Sequence, residues 1–179
     1  EYRLPGINQV QVNEKIDLTF AKVLRASLRQ DPDILLLGEM RDQETAQIGM
    51  RAAMTGHLVL STLHTNDAIS TPIRLLDMGV PRYMMGSSLQ GVLAQRLVRV
   101  ICESCRVTQN LLPSERDWLV QDMGETVDQH DYHVGRGCGH CNGTGFRGRI
   151  GVYELLEMTK EVVDAAYFDD NKGFMDAAR

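Results

Sequence analysis

Two Cys-x-x-Cys pairs are the clearest sign of chemistry in this sequence of 179 residues. They are Cys102 with Cys105 and Cys138 with Cys141, separated by 32 residues. Such a turn lets two thiolates reach one tetrahedral metal ion, and two turns complete the coordination of zinc. A disulfide scaffold would be shorter and richer in cysteine. We therefore predict a structural zinc site, with four reduced, metal-free thiols as the alternative.

The segment around the second cysteine pair has the composition of a metal-binding turn. Glycines recur between Cys138 and Gly145, and glycine accepts the positive φ angles of a tight turn. His140 lies inside this pair, but four sulfurs already complete a site, so we expect it not to be a ligand. The gap between the pairs exceeds the usual ~15–20 residues, which predicts an insertion there.

A second pattern places a carboxylate directly after an apolar strand. Glu39 follows the run Ile-Leu-Leu-Leu-Gly that begins at Ile34. A strand that carries an acid at its end is typical of a Walker B element, in which the carboxylate holds Mg²⁺ or orients the attacking water. Taken alone, Glu39 is better explained as a solvated acid at the start of a loop.

Two histidines flank the next apolar run. His57 and His64 are seven residues apart, and an odd separation along a strand places them on opposite faces, which argues against one shared metal. Thr62, His64 and Asn66 could instead surround a phosphate group. Each histidine taken singly is equally well explained as a packed or surface residue.

The elements that must position these groups alternate between strands and helices. The patterns before the first cysteine predict strands at 7–12, 33–37 and 57–63, and helices at 20–30, 43–54, 71–79 and 82–95. Thr19 and Asp42 are suited to cap the first two helices. The continuous apolar run at 33–37 predicts a strand covered on both faces. This order predicts an α/β fold with a mainly parallel sheet.

The pattern changes after Ile101. We expect a short helix near 114–121, a strand at 149–158, and a helix capped by Thr159 that continues to about Phe168. The composition is that of a globular protein, with 43% hydrophobic and 24% charged residues. A formal net charge of −5 argues against nucleic-acid binding as the main function. No apolar run approaches the ~18–20 residues that span a bilayer.

Three segments together resemble one family. Leu28–Asp42 resembles the Walker B region of the secretion ATPases, which drive type II secretion and type IV pilus assembly. Thr55–Ala68 resembles their His box, and Leu93–Arg99 followed by the cysteine pairs resembles the assembly and secretion branch. Within that branch the sequence resembles ATPases of mannose-sensitive haemagglutinin (MSHA) type pili, and the type II secretion ATPases are a close alternative.

This resemblance implies a RecA-like P-loop NTPase core of α/β class with an inserted tetracysteine zinc subdomain. Residues 1–100 would be the C-terminal part of the core, 101–148 the zinc subdomain, and 149–179 a C-terminal helical subdomain. The whole protein would be a hexameric, Mg-dependent ATPase in the cytoplasm. Its partners would be five further subunits and an inner-membrane platform protein, with no nucleic acid besides the ATP-type nucleotide.

The resemblance also implies roles for individual residues. Glu39 would be the Walker B acid and His64 would sense the γ-phosphate. His57 would support the same box or the subunit interface, and Glu1 would be the last acid of the family's Asp box.

Three arginines match positions that the family places near the nucleotide or the subunit boundary, namely Arg25, Arg29 and Arg149. A guanidinium group can neutralise charge that develops on a transferred phosphoryl group. Arg25 and Arg29 are four residues apart on one helix face, so an exposed structural role is the alternative for either.

A Walker A motif is missing from these residues. Its lysine follows a glycine, whereas none of the four lysines here does: they are Lys15, Lys22, Lys160 and Lys172. With Glu rather than Met at position 1, this predicts the C-terminal fragment of a longer ATPase, inactive by itself. The alternative is a zinc-stabilised module that binds a partner protein and has no catalytic function.

Overall fold

The computed structural model describes residues 2–167 and 171–178 of a mixed α/β chain. The chain divides into two compact units, one formed by Glu1–Ala94 with Glu154–Arg179 and the other by Gln95–Tyr153. We refer to them as the core unit and the cysteine unit. No described helix is both long and apolar enough to cross a membrane.

Among its described residues, the core unit contains six helices, two short parallel strands and one end of each of two long strands. The helices are α1 (Phe20–Ser27), α2 (Gln43–Met54), α3 (Ser70–Asp77), α4 (Arg82–Ser88), α6 (Lys160–Tyr167) and α7 (Asn171–Ala177). The short strands are β1 (Ile34–Leu37) and β2 (Leu58–Ser61), paired from Ile34↔Leu58 to Leu37↔Ser61. The long strands, β3 (Gly91–Ile101) and β6 (Phe146–Glu157), pair with each other.

The cysteine unit contains the rest of β3 and β6, one helix and a small hairpin-like pair of strands. The helix is α5 (Pro113–Met123), and the strands β4 (Arg106–Thr108) and β5 (His133–Gly135) pair in antiparallel register. Each cysteine pair spans a short 3₁₀ turn, Glu103–Cys105 or Gly139–Cys141. The predicted helix near 114–121 and the predicted strand at 149–158 are both confirmed, as α5 and the second half of β6.

Local capping explains where α2 begins. The Asp42 carboxylate accepts hydrogen bonds from the Thr45 backbone N–H at 2.8 Å and from the Thr45 hydroxyl at 2.9 Å. The first bond satisfies a backbone N–H that the first turn of a helix otherwise leaves without a partner, and the second adds a side-chain contact. Gly56, with φ of +101°, lets the chain turn after the helix and enter β2. The predicted cap and helix are confirmed.

Other predicted elements are confirmed through the same local signals. Thr19 caps α1 by accepting the Lys22 N–H at 3.3 Å, and Thr159 caps α6 by accepting the Val162 N–H at 3.4 Å. The helix predicted at 71–79 is α3. The predicted end of the last helix, Phe168, lies outside the described residues.

The predicted strand at 7–12 is wrong. These residues form a bend and an extended loop, and the side chains of Ile7 and Val10 are each 59% exposed. An alternating pattern makes a strand only when a neighbour accepts its backbone hydrogen bonds, and among the described residues this segment has no strand neighbour.

The helix predicted at 82–95 is wrong beyond Ser88. Leu89 takes an extended conformation with ψ of 121°, which ends α4. The chain then enters β3 at Gly91, where the β-branched residues Val92, Val98 and Val100 favour a strand. Pairing with β6 outweighs a helical pattern that is only local.

The prediction that the strand at 33–37 is covered on both faces is also wrong. Leu35 and Leu37 are buried, whereas Ile34 is 62% and Leu36 is 76% exposed. Helix α2 covers one face, with Gly49 against Leu37 and Val59, and the other face is open in the part of the chain that is described. Of the described strands, β1 and β2 pair in parallel, whereas β4 and β5 pair antiparallel.

Candidate functional site

The loops after β1 and β2 are tied together at the carboxyl edge of the parallel pair. The Met40 N–H donates to the Thr62 carbonyl at 3.0 Å, and the Thr62 hydroxyl donates to the Gly38 carbonyl at 2.7 Å. These two bonds extend the strand pairing past Leu37. As a result, the residues that follow the two strands emerge side by side, which is where open α/β sheets bind ligands.

Glu39 and His64 meet at this edge. The Glu39 Oε2 atom lies 3.0 Å from His64 Nε2, and its Oε1 atom lies 2.6 Å from Arg41 Nη2. The Glu39 side chain is 18% exposed, whereas those of His64 and Arg41 are 85% and 63% exposed. Both carboxylate oxygens therefore have a partner, while both partners are open to solvent.

The neighbours of Glu39 favour its charged form. The hydrogen bond from Arg41 is the largest cause, followed by that from His64, and together they hold the pKa of Glu39 below its ordinary value. The same carboxylate raises the pKa of Arg41. Glu39 is consequently a carboxylate at neutral pH, able to bind a cation or accept a proton from water.

The polar residues after β2 lie on the solvent side. Thr62, His64 and Asn66 are all exposed, as expected for groups offered to a ligand. His57 is elsewhere: it precedes β2, and its Nδ1 atom lies 3.0 Å from the Ala52 carbonyl oxygen at the end of α2. A carbonyl only accepts, so Nδ1 is the protonated nitrogen in this geometry. The structure does not bring the two histidines together.

The arginines singled out in the sequence are exposed. Arg25 forms an ion pair with Glu44 of α2, and Arg29 lies on the 3₁₀ turn after α1. Arg149 is exposed on the part of β6 that belongs to the cysteine unit. Glu1 lies outside the described residues.

Sequence reasoning missed Arg41 as a neighbour of the acid. Its side chain makes the shortest contact to Glu39. Its position two residues after the acid is the signal that was available, but a loop of unknown conformation does not reveal which way such a side chain points.

The four cysteines form a single cluster in the cysteine unit. Their Sγ atoms all lie within 4.8 Å of one another, and three pairs are 3.7 to 3.9 Å apart: Cys102 with Cys138, Cys105 with Cys141, and Cys138 with Cys141. Four sulfurs at ~2.3 Å from a tetrahedral zinc ion would be about 3.8 Å apart. The predicted grouping of the four thiols is confirmed, and the cluster could hold a metal ion.

Two backbone N–H groups stabilise the thiolate form of Cys141. The N–H groups of Cys138 and Gly145 both donate to Cys141 Sγ at 3.2 Å. Burial, the largest single cause, raises the pKa of Cys141, but these two donors together with the thiols of Cys138 and Cys105 lower it to about 6. Burial raises the pKa of Cys105 to about 11. A bound cation would favour the thiolate form of all four.

Two glycines permit the close approach that forms this site. A Cβ atom on Gly145 would lie 2.3 Å from the Gly135 carbonyl oxygen, and one on Gly135 would lie 2.0 Å from the Gly145 carbonyl oxygen. Gly145 also has φ of +76°. Its carbonyl accepts the Cys102 N–H at 2.9 Å, so the same residue contacts both cysteine pairs. The donor set, spacing and N–H···S bonds all fit a zinc ion.

Comparison with protein families gives one match along nearly the whole chain. The model described as "Type II/IV secretion system protein" matches residues 1–177. The chain is 51% identical to the type II secretion system protein E of Dickeya dadantii over 96% of its own length and 34% of that protein's. It is 50% identical to the type IV pilus assembly ATPase PilB of Thermus thermophilus over 90% of its length and 18% of that protein's. It thus spans about a third of the secretion relative.

Two solved structures have a similar fold. The pilus retraction motor PilT with bound ADP matches with a TM-score of 0.58 and 30% identity, covering 89% of this chain and 35% of PilT. The ATPase DotB of Legionella pneumophila matches with a TM-score of 0.58 and 22% identity, covering 90% of this chain and 34% of DotB. The second likeness concerns the fold alone.

Proposed function

This chain belongs to the type II/IV secretion system protein family, and from that membership we propose that it is part of an ATPase that powers type IV pilus assembly or type II secretion. One observation carries the proposal beyond the family: an ionised acid, Glu39, bonded to His64 at the carboxyl edge of two parallel strands. A protein-binding module without catalysis needs neither residue there.

In the proposed reaction, Glu39 is the Walker B acid and His64 senses the γ-phosphate. Mg²⁺ bound with ATP would be held by Glu39, directly or through water, and would neutralise phosphate charge. To hold Mg²⁺ or the attacking water, Glu39 would give up its bond to Arg41. The His64 side chain is 85% exposed, so its ring can turn from Glu39 toward a phosphate oxygen without disturbing the packing of the core.

The phosphate-binding loop of this motor is assigned to polypeptide outside the 179 residues. No lysine among them follows a glycine, so none can provide the Walker A lysine. A polypeptide of these residues alone is therefore expected neither to bind ATP tightly nor to hydrolyse it. ATP turnover by that purified polypeptide, above the level of a sample lacking it, would contradict this.

The test of the catalytic assignment uses the full-length protein that carries these residues. Replacing Glu39 by Gln keeps the size of the side chain and removes its charge, so turnover should fall about 100-fold or more. Glu157→Gln, an exposed acid on β6, is the matched control and should keep its activity. Equal turnover in the Glu39→Gln and wild-type proteins would exclude Glu39 as the Walker B acid.

The remaining residues are proposed to contact the nucleotide or a neighbouring subunit. Arg25, Arg29 and Arg149 neutralise phosphate or contact a neighbouring subunit, and the family's Asp box contributes Glu1. His57 supports the His box or the subunit interface. The exposure of the three arginines supports a role in contacts beyond this chain, and charge reversal at each arginine should lower turnover only in the assembled protein.

The cysteine cluster is proposed to bind a structural zinc ion. Its sulfur spacing and N–H donors support that assignment. We propose that residues 1–100 are part of the ATPase core, that 101–148 form the inserted zinc subdomain, and that 149–179 form a C-terminal helical subdomain.

The assembly proposed for the whole protein is a homohexamer on the cytoplasmic side of the inner membrane, bound to a platform protein. The names of the relatives, a secretion system protein and a pilus assembly ATPase, support this setting. The mass of the purified full-length protein in solution tests it, since a monomer at all concentrations and nucleotide states would contradict a ring.

We propose that the specific machine is an MSHA-type pilus, because the sequences of the Walker B and His box segments resemble those of its ATPases. Deleting the gene should remove surface pili while secreted enzymes remain at normal levels. The opposite result, with loss of secreted enzymes and intact pili, would assign the chain to type II secretion. Complementation with the wild-type gene, but not with a Glu39→Gln gene, would connect the phenotype to ATP hydrolysis.

A further inference from the structure

The loop that presents His64 is irregular and needs external support. It runs from Thr62 to Ala68, between β2 and α3. Its first residue is fixed by the bonds to Gly38 and Met40 described above. Toward its end, the hydroxyl groups of Thr65 and Thr71 lie 2.7 Å apart, and Asp67 accepts the Ser70 N–H at 2.6 Å. The contacts near the end come from residues close in sequence.

One further contact comes from a distant part of the chain. The Ala68 N–H donates to the Glu154 Oε2 atom at 3.1 Å, across 86 positions of sequence. Ala68 is completely buried, so water cannot readily replace this acceptor if it is lost. A buried N–H group without a partner is costly, and the loop would be expected to open to satisfy it.

Glu154 is an exposed residue of β6 whose carboxylate reaches the Ala68 N–H. Leu156, two residues further along the strand, is 95% buried, being only 5% exposed. Side chains two apart in a strand share a face, so Glu154 leaves β6 on the same face as Leu156. Because Glu154 is exposed, water could satisfy its carboxylate, and it is the buried Ala68 N–H that depends on this bond.

We propose that Glu154 is a positioning residue for the catalytic site: its carboxylate fixes the end of the Thr62–Ala68 loop and thereby keeps His64 beside Glu39. The inference deepens the proposed ATPase function, on which its activity readout depends. Its hydrogen-exchange readout does not depend on catalysis. Glu154 directly follows Tyr153, the last residue of the cysteine unit, so the chain leaves that unit immediately before Glu154.

The test compares three variants of the full-length protein by backbone hydrogen exchange and ATP turnover. Glu154→Ala removes the acceptor and should speed exchange over residues 62–68 by about tenfold or more, with kcat lowered and KM for ATP little changed. Glu154→Gln retains an oxygen acceptor and should remain near wild type on both measurements. Glu157→Ala, on the same strand, controls for loss of an exposed acid.

The outcomes separate the two claims. Unchanged exchange over 62–68 in Glu154→Ala would overturn the positioning role, and so would an increase of equal size throughout the chain, which indicates general loosening. Faster local exchange with unchanged kcat would also overturn it. If the wild-type full-length protein does not hydrolyse ATP, the proposed function fails, whereas local exchange still decides whether Glu154 holds the loop.

Discussion

Glu39 and His64 are 25 residues apart in sequence, yet their side chains meet at 3.0 Å because they follow adjacent parallel strands. The register from Ile34↔Leu58 to Leu37↔Ser61 brings both strand ends to one edge. Two further backbone and hydroxyl bonds then hold the following loops together. The pair is thus a product of the strand register, and its electrostatics can be tested before any nucleotide is added.

The first prediction concerns the titration of Glu39. Its pKa should lie below the ordinary value of a glutamate, measured from the side-chain carboxyl ¹³C shift as pH is varied. Arg41→Ala should raise that pKa more than His64→Ala does, because the Arg41 bond is the larger cause. A wild-type midpoint no lower than that of an unperturbed glutamate would show that the pair is not formed in solution.

The same shift fixes the pH dependence of the pair. The folded-state pKa of Glu39 is lowered, so its contribution to stability is present above the unfolded-state pKa and is lost as pH falls through the folded-state pKa. The wild type should therefore lose slightly more stability than Glu39→Gln on acidification through this window. Screening by solvent keeps this difference small.

The second prediction concerns the cap of α2. Asp42→Ala removes both bonds to Thr45 and should lower the free energy of unfolding by about 1 kcal/mol. Denaturant unfolding monitored by circular dichroism measures it. Asp77→Ala is the control: this exposed acid ends α3, where a negative charge opposes the helix dipole, so its removal should cost nothing. Equal losses in the two variants would contradict the capping role.

Local signals made much of the core unit predictable. The caps at Thr19, Asp42 and Thr159 and the apolar run of β1 depend on residues within four positions of each other, so the sequence alone identifies them. The grouping of four cysteines was predictable for a related reason. Each Cys-x-x-Cys turn places two sulfurs together, and only the joining of the two turns requires tertiary structure.

Features that depend on distant partners could not be predicted in this way. Residues 7–12 alternate as a strand does, but alternation does not supply a pairing neighbour. Residues 91–95 become a strand because β6 pairs with them. The contacts of Arg41 with Glu39 and of Glu154 with Ala68 depend on side-chain direction and on an 86-residue separation, respectively. Neither leaves a periodic pattern in the sequence.

The third prediction concerns metal content. The purified protein should contain one zinc ion per chain, and Cys138→Ser should lose it because one thiolate of the tetrahedral set is removed. His140→Ala should retain the full amount, since His140 is exposed and four sulfurs complete the site. Elemental analysis after dialysis measures both. Zinc lost from His140→Ala, or a metal-free wild type with four titratable thiols, would contradict the assignment.

The fourth prediction uses two glycines with similar positive φ angles. Gly145 and Gly148 have φ of +76° and +83°, so an alanine at either position carries a left-handed strain of about 1 kcal/mol. Around Gly148 no atom lies within 4 Å of an added Cβ, whereas at Gly145 that atom would lie 2.3 Å from the Gly135 carbonyl oxygen. Only Gly145→Ala must therefore separate the two backbone segments that meet beside the cysteines.

Separation of those segments should also break the bonds that Gly145 makes to both cysteine pairs, its N–H to Cys141 Sγ and its carbonyl to the Cys102 N–H. We expect Gly145→Ala to lose zinc and to expose the thiols to an alkylating reagent, while Gly148→Ala keeps its zinc and loses only a little stability. Thiol reactivity and metal content, measured on the same samples, decide it. If both alanine variants retained zinc, the close approach of Gly135 and Gly145 would not be required for the site. Gly145 and Gly148 would then matter only because they adopt positive φ angles without strain.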